Sequence, residues 1–145
     1  MPNNKRDFTE DSYSYTPIFA SGRVLASTML GSILYQSFHN PFITQILRYL
    51  CGVRTVEEME LEKEFNLGLR SLSYISVSAE FVGLSFGEYY EELNIKYGIL
   101  AIGLYRDEIS HDLQNRLPFV YTNPLSSLLL RQSDLVYVIA EDSQL

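Results

Sequence analysis

The first half of the chain carries two apolar stripes with helical spacing. Between Gly22 and Phe38 the stripe repeats every four positions, at Leu25, Met29 and Ile33, which predicts a helix with Ser21 as its cap. Asn40-Pro41 is a typical helix start and Gly52 a typical helix stop. The helix between them has an apolar face formed by Phe42, Ile43, Ile46, Leu47 and Leu50. Because a very short turn joins the two helices, the pattern predicts a hairpin or a sharp corner.

An acid-rich segment separates this helix pair from the rest of the chain. The stretch from Val56 to Glu64 contains five Glu and one Lys, which is typical of a solvated helix or linker.

The second half alternates between strand and helix patterns. Ser alternates with Tyr, Ile and Val from Leu72 to Ala79, which predicts a half-exposed strand. Ser85 and Glu88 form a capping box at the start of a helix that should stop at Gly98. The apolar face of this helix would contain Phe86, Tyr89, Tyr90, Leu93 and Tyr97.

Two apolar runs near the end of the chain have the length of strands. Ile99 to Leu104 is continuously apolar, which predicts a strand covered on both faces. Leu135 to Ala140 is its predicted partner, and turns are expected at Asn123-Pro124 and at Gln132 to Asp134.

Together these elements predict an α+β fold, a helix-turn-helix crossover arm followed by a small subdomain of strands and one helix. The predicted divisions are a flexible leading segment at 1–16, a crossover helix pair at 17–52, an acidic linker at 53–68, the strand-containing subdomain at 69–140 and a tail at 141–145.

Composition excludes several classes of function. A net charge of −7 and a pI near 4.7 argue against a nucleic-acid partner. No apolar run is long enough for membrane insertion. Cys51, the single cysteine, is expected to be a buried thiol in a reducing compartment.

Particular motifs along the chain resemble a known family. They include Ala20-Ser21-Gly22, Leu50-Cys51-Gly52, Gly103 to Arg106, Thr122-Asn123-Pro124, and Asp134 before the last apolar run. In order and spacing they resemble the carboxy-terminal part of the cytoplasmic RCK (regulator of potassium conductance) gating domain of Slo-type ligand-activated potassium channels. No G-x-G-x-x-G follows a strand, so the nucleotide-fold half of a complete RCK domain is missing.

The resemblance implies a gating module on the cytoplasmic side of a membrane, which couples ion or ligand sensing to pore opening. Its implied partners are a neighbouring RCK domain, forming a dimer within a larger gating ring, and the channel pore domain of the full-length protein. The alternative is a ligand-binding regulatory subunit of a potassium-uptake system or cation antiporter.

The helix pair is the predicted assembly interface, because its apolar side chains are too numerous to leave in water. The predicted contact residues are Leu25, Met29, Ile33, Phe42, Ile43, Ile46, Leu47 and Leu50. The competing interpretation is that the pair folds back on the sheet of its own chain.

No cofactor is required by the sequence, although a regulatory cation, calcium or sodium, is a candidate ligand. In calcium-activated Slo channels an aspartate run precedes the crossover helices, and Asp7, Glu10 and Asp11 occupy that position here. Calcium prefers several carboxylate and carbonyl oxygens. The acids from Glu57 to Glu64 are a second, weaker candidate for a cation site.

The sequence offers no catalytic constellation. His111 and Asp112 are adjacent, so their side chains diverge, and no third group orients them as a catalytic base requires. His39 at the predicted helix corner is interpreted as a turn residue. The chain is therefore not expected to be an enzyme.

Overall fold

The computed structural model describes residues 16–65, 68, 70–107 and 117–144. Four helices come first: α1 (Pro17–Ala20), α2 (Ser27–His39), α3 (Ile43–Leu50) and α4 (Val56–Phe65). The remaining elements are β1 (Arg70–Ser76), α5 (Phe86–Glu92), β2 (Leu100–Arg106), β3 (Phe119–Thr122) and β4 (Leu135–Glu141). Short 3-10 turns lie at Ala79–Phe81 and Asp142–Gln144. The predicted α+β class is confirmed.

The four strands form one antiparallel sheet in the order β1-β4-β2-β3. The predicted pairing of the last strand with β2 is confirmed, and β4 also pairs with β1 along its whole length. A bulge between Ala101 and Gly103 shifts the register of β2 against β4. The last strand of the chain therefore lies in the interior of the sheet.

The core lies between one face of the sheet and α5. Alternate β4 residues, Val136, Val138 and Ala140, are completely buried. Phe86, Tyr89 and Leu93 cover them from the helix side. This arrangement confirms the apolar face predicted for α5, except that Tyr97, in the π turn Leu93–Tyr97 that follows the helix, is exposed.

Both ends of α5 follow the local signals in the sequence. The Ser85 hydroxyl accepts a hydrogen bond from the Glu88 N–H at 3.3 Å, and the Ser85 N–H donates to the Glu88 carboxylate at 2.9 Å. Gly98 ends the helical segment with a left-handed backbone, φ 64°, which a residue without Cβ adopts at little cost.

The helix pair begins differently from the prediction. Ser21 does not cap α2; its side chain is buried and its hydroxyl donates to the Ile18 carbonyl at 2.7 Å, closing α1. The N-cap of α2 is Ala26, which offers no side-chain acceptor. A separate short helix, α1, thus takes the serine that the sequence pattern assigned to α2.

The second helix starts later than predicted, and its N-cap is Phe42 and not Asn40. The Asn40 side-chain oxygen accepts a hydrogen bond from the Phe42 N–H at 3.1 Å. Pro41 and Phe42 form a turn, and α3 proper begins at Ile43. Gly52 follows its end with φ 68°, as expected of a helix stop.

Two predictions of burial are wrong. Cys51 is exposed, because it follows α3 at the surface and not on its packed side. β2 is not covered on both faces: Leu100 and Ile102 are 36% and 37% exposed. Their side of the sheet faces away from α5, and it leaves Leu72 and Tyr74 exposed as well.

The acid-rich segment that begins at Val56 was predicted to be either a solvated helix or a linker, and it forms the helix α4. Among the described residues, no helix combines the length and apolar character needed to cross a membrane.

Candidate assembly surface

The helix pair keeps much of its apolar surface in solvent. No residue of α2 or α3 is buried. Leu25, Met29, Phe42 and Ile46 are exposed, with Leu25 at 59% and Phe42 at 65%. The other four predicted contact residues, Ile33, Ile43, Leu47 and Leu50, are half-buried. The described part of the chain therefore does not cover this surface by itself.

The apolar surface of α2 is wider than the predicted stripe. Beyond that stripe it carries Leu30, Leu34, Tyr35 and Phe38, all exposed, with Phe38 at 87%. A helix with so wide an apolar surface is normally covered by other elements. None of these four residues was among the predicted contact residues, although one signal pointed to them: α2 contains no Asp, Glu, Lys or Arg.

The helix pair contacts the sheet through α1, α3 and the segment that precedes α2. α1 contacts β3, and α3 contacts β1. The Arg23 guanidinium donates to the Tyr105 hydroxyl at 3.5 Å. β1 and β3 are the edge strands of the sheet, whereas Tyr105 lies on the inner strand β2. The residues of α2 nevertheless remain exposed or half-buried.

The acidic helix α4 is joined to α3 and does not act as a free linker. Glu58 forms an ion pair with Arg48, and its carboxylate accepts a hydrogen bond from the Tyr49 hydroxyl at 3.0 Å. Arg54 and Glu62 make a second ion pair at 3.4 Å.

The same carboxylate also caps α4. The Thr55 N–H donates to Glu58 at 2.9 Å, and the Thr55 hydroxyl accepts from the Glu58 N–H at 3.3 Å. The Thr55 N–H, together with Tyr49 and Arg48, lowers the pKa of Glu58, against an opposing effect of burial. One side chain thus caps α4 and ties it to α3.

A buried ion pair holds the connection between β3 and β4, residues 123–134. Arg106 at the end of β2 donates from Nε and Nη2 to the two carboxylate oxygens of Asp134, at 2.8 Å and 2.7 Å. Arg106 is 6% exposed and Asp134 is completely buried. The Arg106 Nη2 also donates to the Leu129 carbonyl at 2.8 Å, and the Arg131 N–H donates to Asp134 at 2.9 Å. This clamp satisfies both charges and fixes the connection on the sheet.

Most of the remaining predicted site residues fall in parts of the chain that the structure does not describe. Asp7, Glu10, Asp11, His111 and Asp112 lie outside the described residues. His39 ends α2, and its ring makes edge contacts with the rings of Tyr35 and Phe38, with centroid distances of 4.7 Å and 5.8 Å. Within the described ranges, no group of three or more His, Cys, Asp or Glu is placed to hold a metal ion, the acids of α4 included.

Comparison with known proteins agrees with this architecture. Residues 48–140 match the family model described as the Ca²⁺-activated K⁺ channel Slowpoke, TrkA_C like domain. The chain is 31% identical over 141 residues to potassium channel subfamily U member 1 of Mus musculus, and 27% identical over 148 residues to the calcium-activated potassium channel slo-1 of Caenorhabditis elegans. These alignments cover 82% and 87% of the chain but only 12% and 13% of the relatives.

A solved structure resembles the chain over most of its length. The human SLO3 gating ring matches with a TM-score of 0.63 and 25% sequence identity, over 88% of this chain and 21% of the other. The sequence match and the shared fold cover both the arm and the sheet. The chain therefore belongs to the family of Slowpoke Ca²⁺-activated K⁺ channels, in the part that carries their TrkA_C-like domain.

Proposed function

We propose that this chain is a regulatory gating module of a potassium channel and that it works by assembly with a neighbouring RCK domain. The observation that carries the proposal is the exposed apolar surface of α2 and α3, in a chain whose family and fold are those of channel gating rings. In this role the module stands on the cytoplasmic side of a membrane, linked to a pore domain. It performs no catalysis.

In the proposed mechanism, ligand binding is coupled to the relative arrangement of two neighbouring domains. A ligand that binds one arrangement of two neighbouring domains more tightly than another shifts the population toward the first. The arm transmits such a shift because α3 is tied to α4 through Glu58 and contacts β1 directly. A movement of the arm would therefore reach the sheet through the contact of α3 with β1.

The rival assignment was a regulatory subunit of an uptake system or antiporter. The family match and the named relatives favour the channel assignment, since they are potassium channels. Which ion or ligand drives the module remains a prediction, namely calcium or sodium bound by Asp7, Glu10 and Asp11.

Replacing Ile46 with Asp tests the assembly surface. Ile46 is exposed on the apolar side of α3, so a charge there costs little in an isolated chain but must be desolvated in an interface. We expect the self-association constant of the purified chain, measured by sedimentation equilibrium, to fall at least tenfold while the circular dichroism spectrum is unchanged.

Gln45→Asp is the matched control, because it adds the same charge one position away, on the exposed polar side of α3. It should leave association within about twofold of the wild type. The proposal fails if both variants associate like the wild type, or if the wild type is monomeric at all concentrations.

A further inference from the structure

The subdomain contains a cleft that lies beside α5. It has a volume of about 320 Å³ and is bounded by α5, β2 and the start of the β3–β4 connection. Its base is apolar and buried, formed by Phe86, Ala101 and Pro124. Sites for small ligands begin at roughly this volume, ~300 Å³.

The rim of the cleft carries polar side chains that nothing in the described chain engages. Tyr90 and Glu91 contribute from α5, and Asn123 and Ser126 from the connection. Within the ranges that the structure describes, none of these four side chains makes a hydrogen bond or ion pair. Polar groups that converge on an apolar cleft without partners of their own are typical of a binding site.

The walls of the cleft are fixed before any ligand arrives. The N–H groups of Phe86 and Gly87 donate to the carbonyls of Leu128 and Ser126, at 2.7 Å and 2.9 Å. Asn123 has a left-handed backbone, φ 49°, and its N–H donates to the Ile102 carbonyl at 2.9 Å. A preformed site avoids the entropic cost of ordering its walls on binding.

Charge selects the class of ligand. Glu91 is the charged residue among those that line the cleft, and Glu88 and Glu92 lie beside it on the same helix. The nearby cation, Lys96, is paired with Glu92. The field at the rim is therefore negative, which disfavours phosphate-bearing ligands and favours a cation.

We propose that this cleft binds an alkylammonium or guanidinium group, with the cation at Glu91 and the alkyl part over Phe86 and Pro124. The cation comes either from a free organic amine or from a Lys or Arg side chain of a neighbouring chain. Hydroxyl and amide oxygens of Tyr90, Asn123 and Ser126 accept the remaining N–H bonds. The site is separate from the arm and does not depend on its assembly.

The first arm of the test is an NMR titration of the ¹⁵N-labelled chain with N-acetyl-lysine amide. We expect saturable shifts in the amides of Gly87, Asn123 and Ser126. N-acetyl-norleucine amide, which lacks only the ammonium group, and inorganic phosphate should leave these amides unshifted. Glu91→Gln should weaken binding roughly fivefold, the effect of a partly exposed ion pair.

Two variants locate the probe. Ser126→Phe, at an exposed position of the rim, should fill the cleft and abolish the shifts. Glu92→Gln removes an acid outside the cleft and should change the affinity by less than about twofold. If Glu92→Gln weakens binding as much as Glu91→Gln, or if Ser126→Phe has no effect, the probe binds an acidic surface and the proposal is wrong.

The second arm identifies the source of the cation. A zero-length carbodiimide crosslink is formed in a mixture of ¹⁴N- and ¹⁵N-labelled chains and mapped by mass spectrometry. A mixed-isotope crosslink from Glu91 to a lysine assigns the cation to a neighbouring chain. Probe binding without that crosslink assigns it to a free amine, and the absence of both overturns the proposal.

Discussion

Asp134 is the charged side chain on which the β3–β4 connection depends. It is completely buried, and its two oxygens accept from Arg106 and from the Arg131 N–H. Two residues 28 positions apart thus form one bidentate pair. Burying charges is costly, so the pair holds the connection in place without adding much net stability, whereas breaking it leaves a buried charge unpaired.

Asp134→Asn should destabilise the chain by about 3 to 5 kcal/mol, because it keeps the shape and leaves the Arg106 guanidinium without a counter-charge. Urea unfolding followed by circular dichroism measures the change. Glu92→Gln, which removes the exposed partner of Lys96, should have little effect. Equal midpoints for Asp134→Asn and wild type would contradict the role of the clamp.

The sequence pointed to these two residues without pairing them. Arg106 ends a strand and Asp134 precedes the last one, and both belong to the quoted family pattern. Their contact depends on the register of β2 against β4, which includes a bulge at Ile102. No short turn joins β2 to β4, so turn geometry does not set their register, and the bulge changes the pairing that strict alternation would predict.

Among the elements, those defined by signals a few residues apart were predicted best. The capping box of α5 and its stop at Gly98 were both confirmed, because each depends on contacts within one helical turn. The start of α2 was not, because α1 takes Ser21. The exposure of Cys51 was not, because it depends on which side of α3 is packed.

The capping box makes the stability of α5 depend on pH. The Ser85 hydroxyl and then its N–H, donating to the Glu88 carboxylate, lower the pKa of Glu88 from its ordinary 4.5. A carboxylate whose pKa is lower in the folded than in the unfolded state contributes stability above the unfolded pKa. That contribution is lost as the pH falls through the folded pKa.

Glu88→Gln should therefore flatten the acid limb of the stability curve. Between about pH 6 and pH 3, the melting temperature of the wild type should fall further than that of the variant, which cannot titrate at this position. Scanning calorimetry at several pH values measures both curves. If the melting temperatures of the two proteins fall in parallel with pH, protonation of Glu88 does not affect stability and the prediction is wrong.

For the whole molecule, the fold class and the exposed helix pair were predictable, whereas its attachment was not. The arm was expected to stand apart across an acidic linker, yet α4 is tied to α3 by the ion pair of Glu58 with Arg48. From the sequence alone, a run of charged residues is interpreted as a solvated surface, because ion pairs between helices leave no periodic signal. The exposed face of β2 was missed because apolar runs do not say which side of a sheet another element covers.

Calcium binding by the leading segment is tested with the whole chain. Isothermal titration calorimetry should detect calcium binding that disappears in the Asp7→Asn, Glu10→Gln, Asp11→Asn triple variant, since calcium requires carboxylate oxygens. A matched triple variant in α4, at Glu57, Glu60 and Glu64, should bind as the wild type does. Loss of binding in the α4 variant alone would move the site to that helix, and no heat in the wild type would refute the prediction.

The position of β4 has a consequence for how the chain is made. β4 lies between β1 and β2. β1 therefore cannot join the pair formed by β2 and β3 until residues 135–141 have been synthesised. Synthesis proceeds from the amino terminus at about 5 to 20 residues per second. During that time the helix pair and the first two long strands leave the ribosome without the strand that unites them. Their apolar faces are then open to chaperones and to neighbouring nascent chains, so contacts between subunits can begin before the sheet is complete.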